Sequence, residues 1–139
     1  MGTIYPTGTC FDDAVAFCER HARTLLTRPP AERRPALLRL KVVHGIITVP
    51  PDQPAGYGVQ PGQRAAHAWV EEGARYVWQS GVLDGRTIAF QIARAEFYAQ
   101  LRVEAVTRYT LPQVLEHHHR TGSTGPWRAD LKALCRGRD

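Results

Sequence analysis

The stretch from Gln63 to Gln79, QRAAHAWVEEGARYVWQ, constrains this chain more than any other. Its apolar positions recur with a period of two on both sides of a glycine, the spacing of a half-buried strand. The reading is a β-hairpin, with one strand over Arg64–Glu71, a turn at Glu72-Gly73 and a second strand over Ala74–Gln79. Ala65, His67, Trp69 and Glu71 then share one face. A two-residue turn sets Trp69 opposite Tyr76 and His67 opposite Trp78.

Further strands are expected around this hairpin. Leu37 to Val49, LLRLKVVHGIITV, alternates and is β-branched, with Leu38, Leu40, Val42, His44 and Ile46 on one face. Thr87–Ile92 and Val103–Tyr109 read as two more. Cys10 to Thr27 is an amphipathic helix: Phe11, Ala14, Val15, Cys18, Ala22, Leu25 and Leu26 recur at helical spacing. Thr9 suits its N-cap, Asp12 and Asp13 its first turn, and Pro29-Pro30 stops it. Residues 31–36 read as a polar connection, and 94–101 as a short helix. Thr110 and Gln113 form a capping box for a helix reaching Gly122, and a last short helix covers 127–134. Pro50 to Gly62 is a Pro- and Gly-rich loop, either a lid beside a site or a connector. The expected fold is a single α+β domain over residues 1–139, an N-terminal helix packed on an antiparallel sheet of four or more strands. Its 139 residues suffice for a real core, burying roughly 68–70% of the unfolded surface.

Composition narrows the partners. The net charge of +5 is carried mostly by arginine, without a long basic block. Such a balance suits an acidic partner, nucleic acid included, but the charge is diffuse and no nucleic-acid motif accompanies it, so a solvated arginine-rich surface is the plainer reading. No apolar run approaches the ~18 residues of a membrane span. The opening MGTIYPTGTCFDD lacks the regions of a secretory signal. Cys10, Cys18 and Cys135 form no C-x-x-C pair, which argues against zinc ribbons and thioredoxin-like motifs, and their odd, sparse count without a signal peptide suggests free thiols in a reducing cytoplasm. No cofactor is expected, and no metal site. His117, His118 and His119 are consecutive in a helix, so they point about 100° apart and cannot face one ion.

Two cysteines differ in prospects. Cys18 sits on the buried stripe and is a core residue. Cys10 opens the helix, where unpaired N–H groups and the helix dipole favour thiolate, against the opposing charge of Asp12 and Asp13. A thiol hydrolase needs such a thiolate, an imidazole beside it and a group that orients the imidazole. His67 on its strand is the first candidate imidazole. His44 is the second, although a histidine on an apolar face is most often a hydrogen-bonded core residue.

The early Cys opening a helix, the strand with Val43-His44-Gly45, and the string His67-Ala68-Trp69-Val70-Glu71 resemble the transglutaminase-like branch of the papain-like cysteine hydrolases. The HAWVE string is similar to that of the leader peptidases of lasso-peptide maturation and related bacterial proteins. The resemblance covers about residues 8–80. It implies Cys10 as nucleophile, His67 as general acid and base, and a peptide or protein as substrate. It also implies an Asp on the next strand, near Trp78 or Gln79, and neither is acidic. Gln79 can accept a hydrogen bond from a ring N–H and is the candidate third member. With Trp78 sharing the His67 face, Gln79 would need a bulge to reach it. Asp84, the next carboxylate, lies in a turn. A non-catalytic binding protein on the same fold is the alternative, and a basic nucleic-acid-binding module a more distant one.

Overall fold

The structure is a computed structural model that describes residues 9–50 and 62–136. Most of the Pro50–Gly62 loop lies outside the described residues, as does the lead-in before Thr9. The elements are α1 (Cys10–Leu25), α2 (Pro30–Arg39), β1 (Leu40–Thr48), β2 (Arg64–Glu72), β3 (Tyr76–Leu83), β4 (Arg86–Ala93), α3 (Arg94–Gln100), β5 (Glu104–Tyr109), α4 (Leu111–Thr121) and α5 (Ala129–Arg136). The strands form one antiparallel sheet in the order β4-β3-β2-β1-β5. The chain is therefore α+β, with its N-terminal helix on an antiparallel sheet. No helix among the described residues is long and apolar enough to cross a membrane.

Each face of the sheet has its own core. Ala14, Val15, Cys18, Ala22 and Leu25 of α1 pack on Leu40, Val42, Ala68 and Val70. On the opposite face Val43, Ile47, Ala65, Trp69 and Val77 pack with Phe97 of α3. Ile46 lies in a third cluster with Ala66 and Leu131 of α5. Phe11 is only half-buried and touches the first and third clusters. The thiol of Cys18 is fully buried, and burial, then the charge of Glu19, pushes it up to about 12.

Several boundaries differ from the sequence expectation. The supposed polar connection is the helix α2. Pro30 fits its first turn, and Pro35 sits one turn in, where few hydrogen bonds are lost. Its length pushes the start of β1 from Leu37 to Leu40, so Leu38 ends on the helix and is exposed. Thr9 occupies the N-cap position of α1 without capping through its side chain. Its hydroxyl donates instead to Asp13 Oδ2 at 2.9 Å. The capping box of Thr110 and Gln113 is present, and Gly122 closes α4 in the left-handed region at φ 70°.

The hairpin carries the main correction. The turn is Gly73-Ala74-Arg75, not Glu72-Gly73, and Val70 pairs with Trp78, Glu71 with Val77 and Glu72 with Tyr76. Gly73 takes φ 69°, which glycine tolerates, and its N–H donates to the Arg39 carbonyl at 3.0 Å. That anchor on the end of α2 lengthens the turn and moves the register by three residues. An odd shift swaps the faces of the second strand. Gln79 therefore shares the side of His67, with no bulge, and Trp78 turns to α1. β3 also runs on through Ser80-Gly81 to Leu83.

The acidic end of the HAWVE string holds the α3 face together. Glu71 is buried at 1% exposure. It accepts from Trp69 Nε1 at 2.9 Å, from Arg108 Nε at 2.9 Å and from the Tyr98 hydroxyl, with Arg94 at 3.7 Å. Burial, then the bond to Glu71, pushes the Tyr98 hydroxyl up, so it remains a donor. Removing this carboxylate takes the acceptor from a fully buried indole N–H and the counter-charge from two partly exposed guanidinium groups. Glu71→Ala is expected to cost about 3–5 kcal/mol in urea denaturation, while Glu72→Ala, which breaks only a partly exposed contact with His21, costs far less.

Candidate functional site

β2 and β3 are paired only between Val70↔Trp78 and Glu72↔Tyr76. Upstream, β2 stays with β1 as far as Thr48↔Arg64, while β3 continues with β4 as far as Leu83↔Arg86. The sheet forks, and the N-terminal half of α1 lies over the fork. A cleft of about 210 Å³ opens there, with Cys10, Asp13, Ala14 and Phe17 on the helix side. Its sheet side mixes both faces: Ala68, Val70 and Trp78 from the α1 face, and Trp69 and Gln79 from the other. Residues of the two faces meet in one space only because the strands part.

Cys10 is half-buried at the first position of α1. Asp12 and Asp13, which oppose a thiolate, are each engaged by a threonine hydroxyl, Asp12 by Thr124 and Asp13 by Thr9. His67 is half-buried in β2, opposite Gly45 of β1. Its ring lies 5.8 Å from that of Trp69 and 6.5 Å from that of Phe97. It is thus on the face opposite the body of α1. Gly45 makes this arrangement possible, since a Cβ there would meet the edge of the Trp69 indole at 2.8 Å. His67 Nε2 and Gln79 Oε1 are 3.0 Å apart, a hydrogen bond of good length. His67 is not itself among the residues that line the cleft; Gln79 is the link, since it bonds His67 and lines the cleft with Cys10.

His44 is not the imidazole of this site. It is fully buried, and neither of its ring nitrogens has a hydrogen-bond partner. The expectation of a hydrogen-bonded core histidine is thus half right. Aromatic rings hold it instead, with Phe11 at 4.7 Å and Tyr109 and Trp127 each at 5.0 Å. Gly125 closes the cage, because a Cβ there would come within 2.5 Å of the ring. His117 lies beside the same cage. It is half-buried and stacks on Trp127 at 4.5 Å, while His118 and His119 are exposed. Asp84 sits in the β3–β4 turn at φ 51° and takes no part in the cleft lining. Sequence reasoning missed Glu71 as the anchor of Trp69 and so of the His67 face. The available signal was a carboxylate in phase with Ala65 and Trp69 on a buried strand face.

The cage makes His44 an acid-sensitive element. Burial, then the charge of His117, lowers its pKa to about 3, whereas an unfolded histidine titrates near 6.5. The unfolded chain gains this proton first as pH falls. The contribution is complete above about pH 6.5 and declines by about 1.4 kcal/mol per pH unit down to about pH 3. Urea denaturation of wild type and His44→Phe across this range should show wild type losing stability more steeply by that slope. Parallel curves would mean that His44 titrates normally in the fold. Comparison with known proteins adds no assignment to these residues: the chain matches no protein-family model, no curated protein and no solved structure.

Proposed function

We propose that this chain is a thiol hydrolase or acyl transferase acting on an amide or peptide bond. Cys10 is the nucleophile, His67 the general acid and base, and Gln79 the residue that orients the ring. The observation that carries this reading is the His67–Gln79 hydrogen bond at the cleft that Cys10 lines. The resemblance of HAWVE to transglutaminase-like and papain-like hydrolases supports it. A reducing, cytoplasmic setting belongs to the same proposal, and no disulfide joins the three cysteines.

The chemistry follows from the tautomer. An amide oxygen only accepts, so Nε2 of His67 carries the proton and Nδ1 carries the lone pair. Nδ1 takes the thiol proton as sulfur attacks the carbonyl carbon. Backbone N–H groups at the start of α1 face the developing oxyanion. The imidazolium returns its proton to the leaving amine as the C–N bond breaks, leaving a thioester. Water or an amine then attacks the thioester, with His67 as base, and regenerates the thiol.

A binding protein on this fold is the second reading, and one observation favours it. The third position holds an amide, which orients a ring but adds no negative charge against an imidazolium.

Alkylation kinetics separate the two. At about pH 6.5 iodoacetamide should modify Cys10 faster than Cys135 and leave Cys18 untouched. His67→Ala should slow Cys10 by about 10²-fold or more, in line with loss of a general base. Gln79→Ala should slow it less, and Gln79→Glu should restore or exceed the wild-type rate. Alkylation of Cys10 indifferent to all three substitutions would leave the binding-protein reading in its place.

A further inference from the structure

The cleft beside Cys10 continues along α1. Cys10, Asp13, Phe17 and Arg20 follow one another at three- and four-residue steps and line it as a row. From the first to the last the helix axis advances about 15 Å. The middle of the row is aromatic, with Phe17 and Trp78 rings 5.1 Å apart. The far end is cationic. Arg20 is exposed and has no ion pair among the described residues.

Arg20 leads into a basic corner. Arg23 and Arg28 continue beyond it, and α2 returns with Arg33 and Arg34. Arg33 Nε donates to the Arg28 carbonyl at 2.7 Å, which brings the two helices together. None of these four has an ion pair among the described residues either, whereas Arg64, Arg94, Arg108, Arg120 and Arg128 do. Between residues 19 and 41 the chain carries seven Lys or Arg against two Glu, an excess that equals its whole net charge of +5.

We propose that an acidic polypeptide segment docks on this arginine corner of α1 and α2, and that the amide bond a few residues away reaches Cys10 along the cleft. The proposal rests on the thiol reading of Cys10 and names the substrate class for it. An extended peptide covers about 3.3 Å per residue, so four or five residues separate the reacting carbonyl from the first carboxylate. Unpaired guanidinium groups take carboxylates in bidentate fashion. The cleft between favours side chains over bases. Its walls include Ala14, Ala68, Val70 and Ile88, and its volume of about 210 Å³ suits a peptide and excludes a duplex.

The test uses two N-chloroacetyl peptide amides of about six residues that differ only in Glu or Gln at the last two positions, scaled to the span above. Cys10 displaces chloride and forms a thioether, read by mass spectrometry. The Glu probe should react about tenfold faster than the Gln probe at low salt, as for a charge-steered encounter. The ratio should fall toward one near about 0.5 M NaCl and in Arg20→Gln and Arg34→Gln. Both substitutions are at exposed positions, and thermal melts check that the fold is kept. Equal rates for the two probes, or a ratio that survives Arg20→Gln, would overturn the docking. So would tighter binding of a single-stranded oligonucleotide of equal charge to the same arginines. Plain chloroacetamide reports on the thiol by itself. Should it modify Cys10 no faster than Cys135, the thiol reading falls. Anisotropy of a fluorescein-labelled Glu peptide then decides the docking, which stands if Arg20→Gln weakens binding and fails if it does not.

Discussion

The indole of Trp69, fixed by the carboxylate of Glu71, is the contact on which the site's geometry depends. Two residues apart on β2, they share a face, and the bond between them closes along the strand. The carboxylate is buried, so it is tolerable only because Arg108, Arg94 and Tyr98 reach it from β5 and α3. Those partners tie two elements, β5 and α3, to the middle of the sheet. The ring of His67, two residues earlier, then rests against an indole that cannot swing. The HAWVE string is therefore a structural unit first: its Trp and Glu hold the wall against which its His sits.

The fork in the sheet gives this wall access to α1. In an unbroken β2–β3 ladder, Ala68 and Val70 would face the helix, and Trp69 and Gln79 would be sealed on the other side. Pairing ends at Val70↔Trp78, and the cleft admits residues of both parities. Small residues make room for the helix end. Ala68 is almost fully buried under α1 and Ala66 under Leu131 of α5, and larger side chains there would press those helices off the sheet. The run of alanines in the hairpin thus has a steric purpose.

Most of the fold was legible in the sequence because its signals were local. The α1 stripe, the box of Thr110 and Gln113, and the β-branched run of β1 each depend on neighbours a few residues away. The same holds for Cys10 at a helix start and for the shared face of His67 and Trp69. What escaped depends on distant contacts. The hairpin register turned on one hydrogen bond from Gly73 to the end of α2, and α2 itself was hidden by its two prolines. His44 was placed on its face correctly, yet its lack of hydrogen bonds comes from Tyr109 and Trp127, far along the chain. The charge looked diffuse although its excess lies between residues 19 and 41 of the sequence itself. The elbow between α1 and α2 gathers it.

An amide in the third position has consequences for the proposed chemistry. A carboxylate would orient His67 and also stabilise its charged form, so that the resting site would hold a thiolate–imidazolium pair. Gln79 supplies the orientation alone. Asp12 and Asp13 add negative charge beside Cys10 and work against a thiolate. Neither effect adds to the attraction between sulfur and ring, and a substrate that covers the cleft displaces water. In that state the dipole of α1 acts through a drier medium and counts for more. Selectivity in such a site comes from what the substrate brings with it. A carboxylate-bearing segment seated on Arg20 and its neighbours would hold the covering residues in place while the charged pair forms.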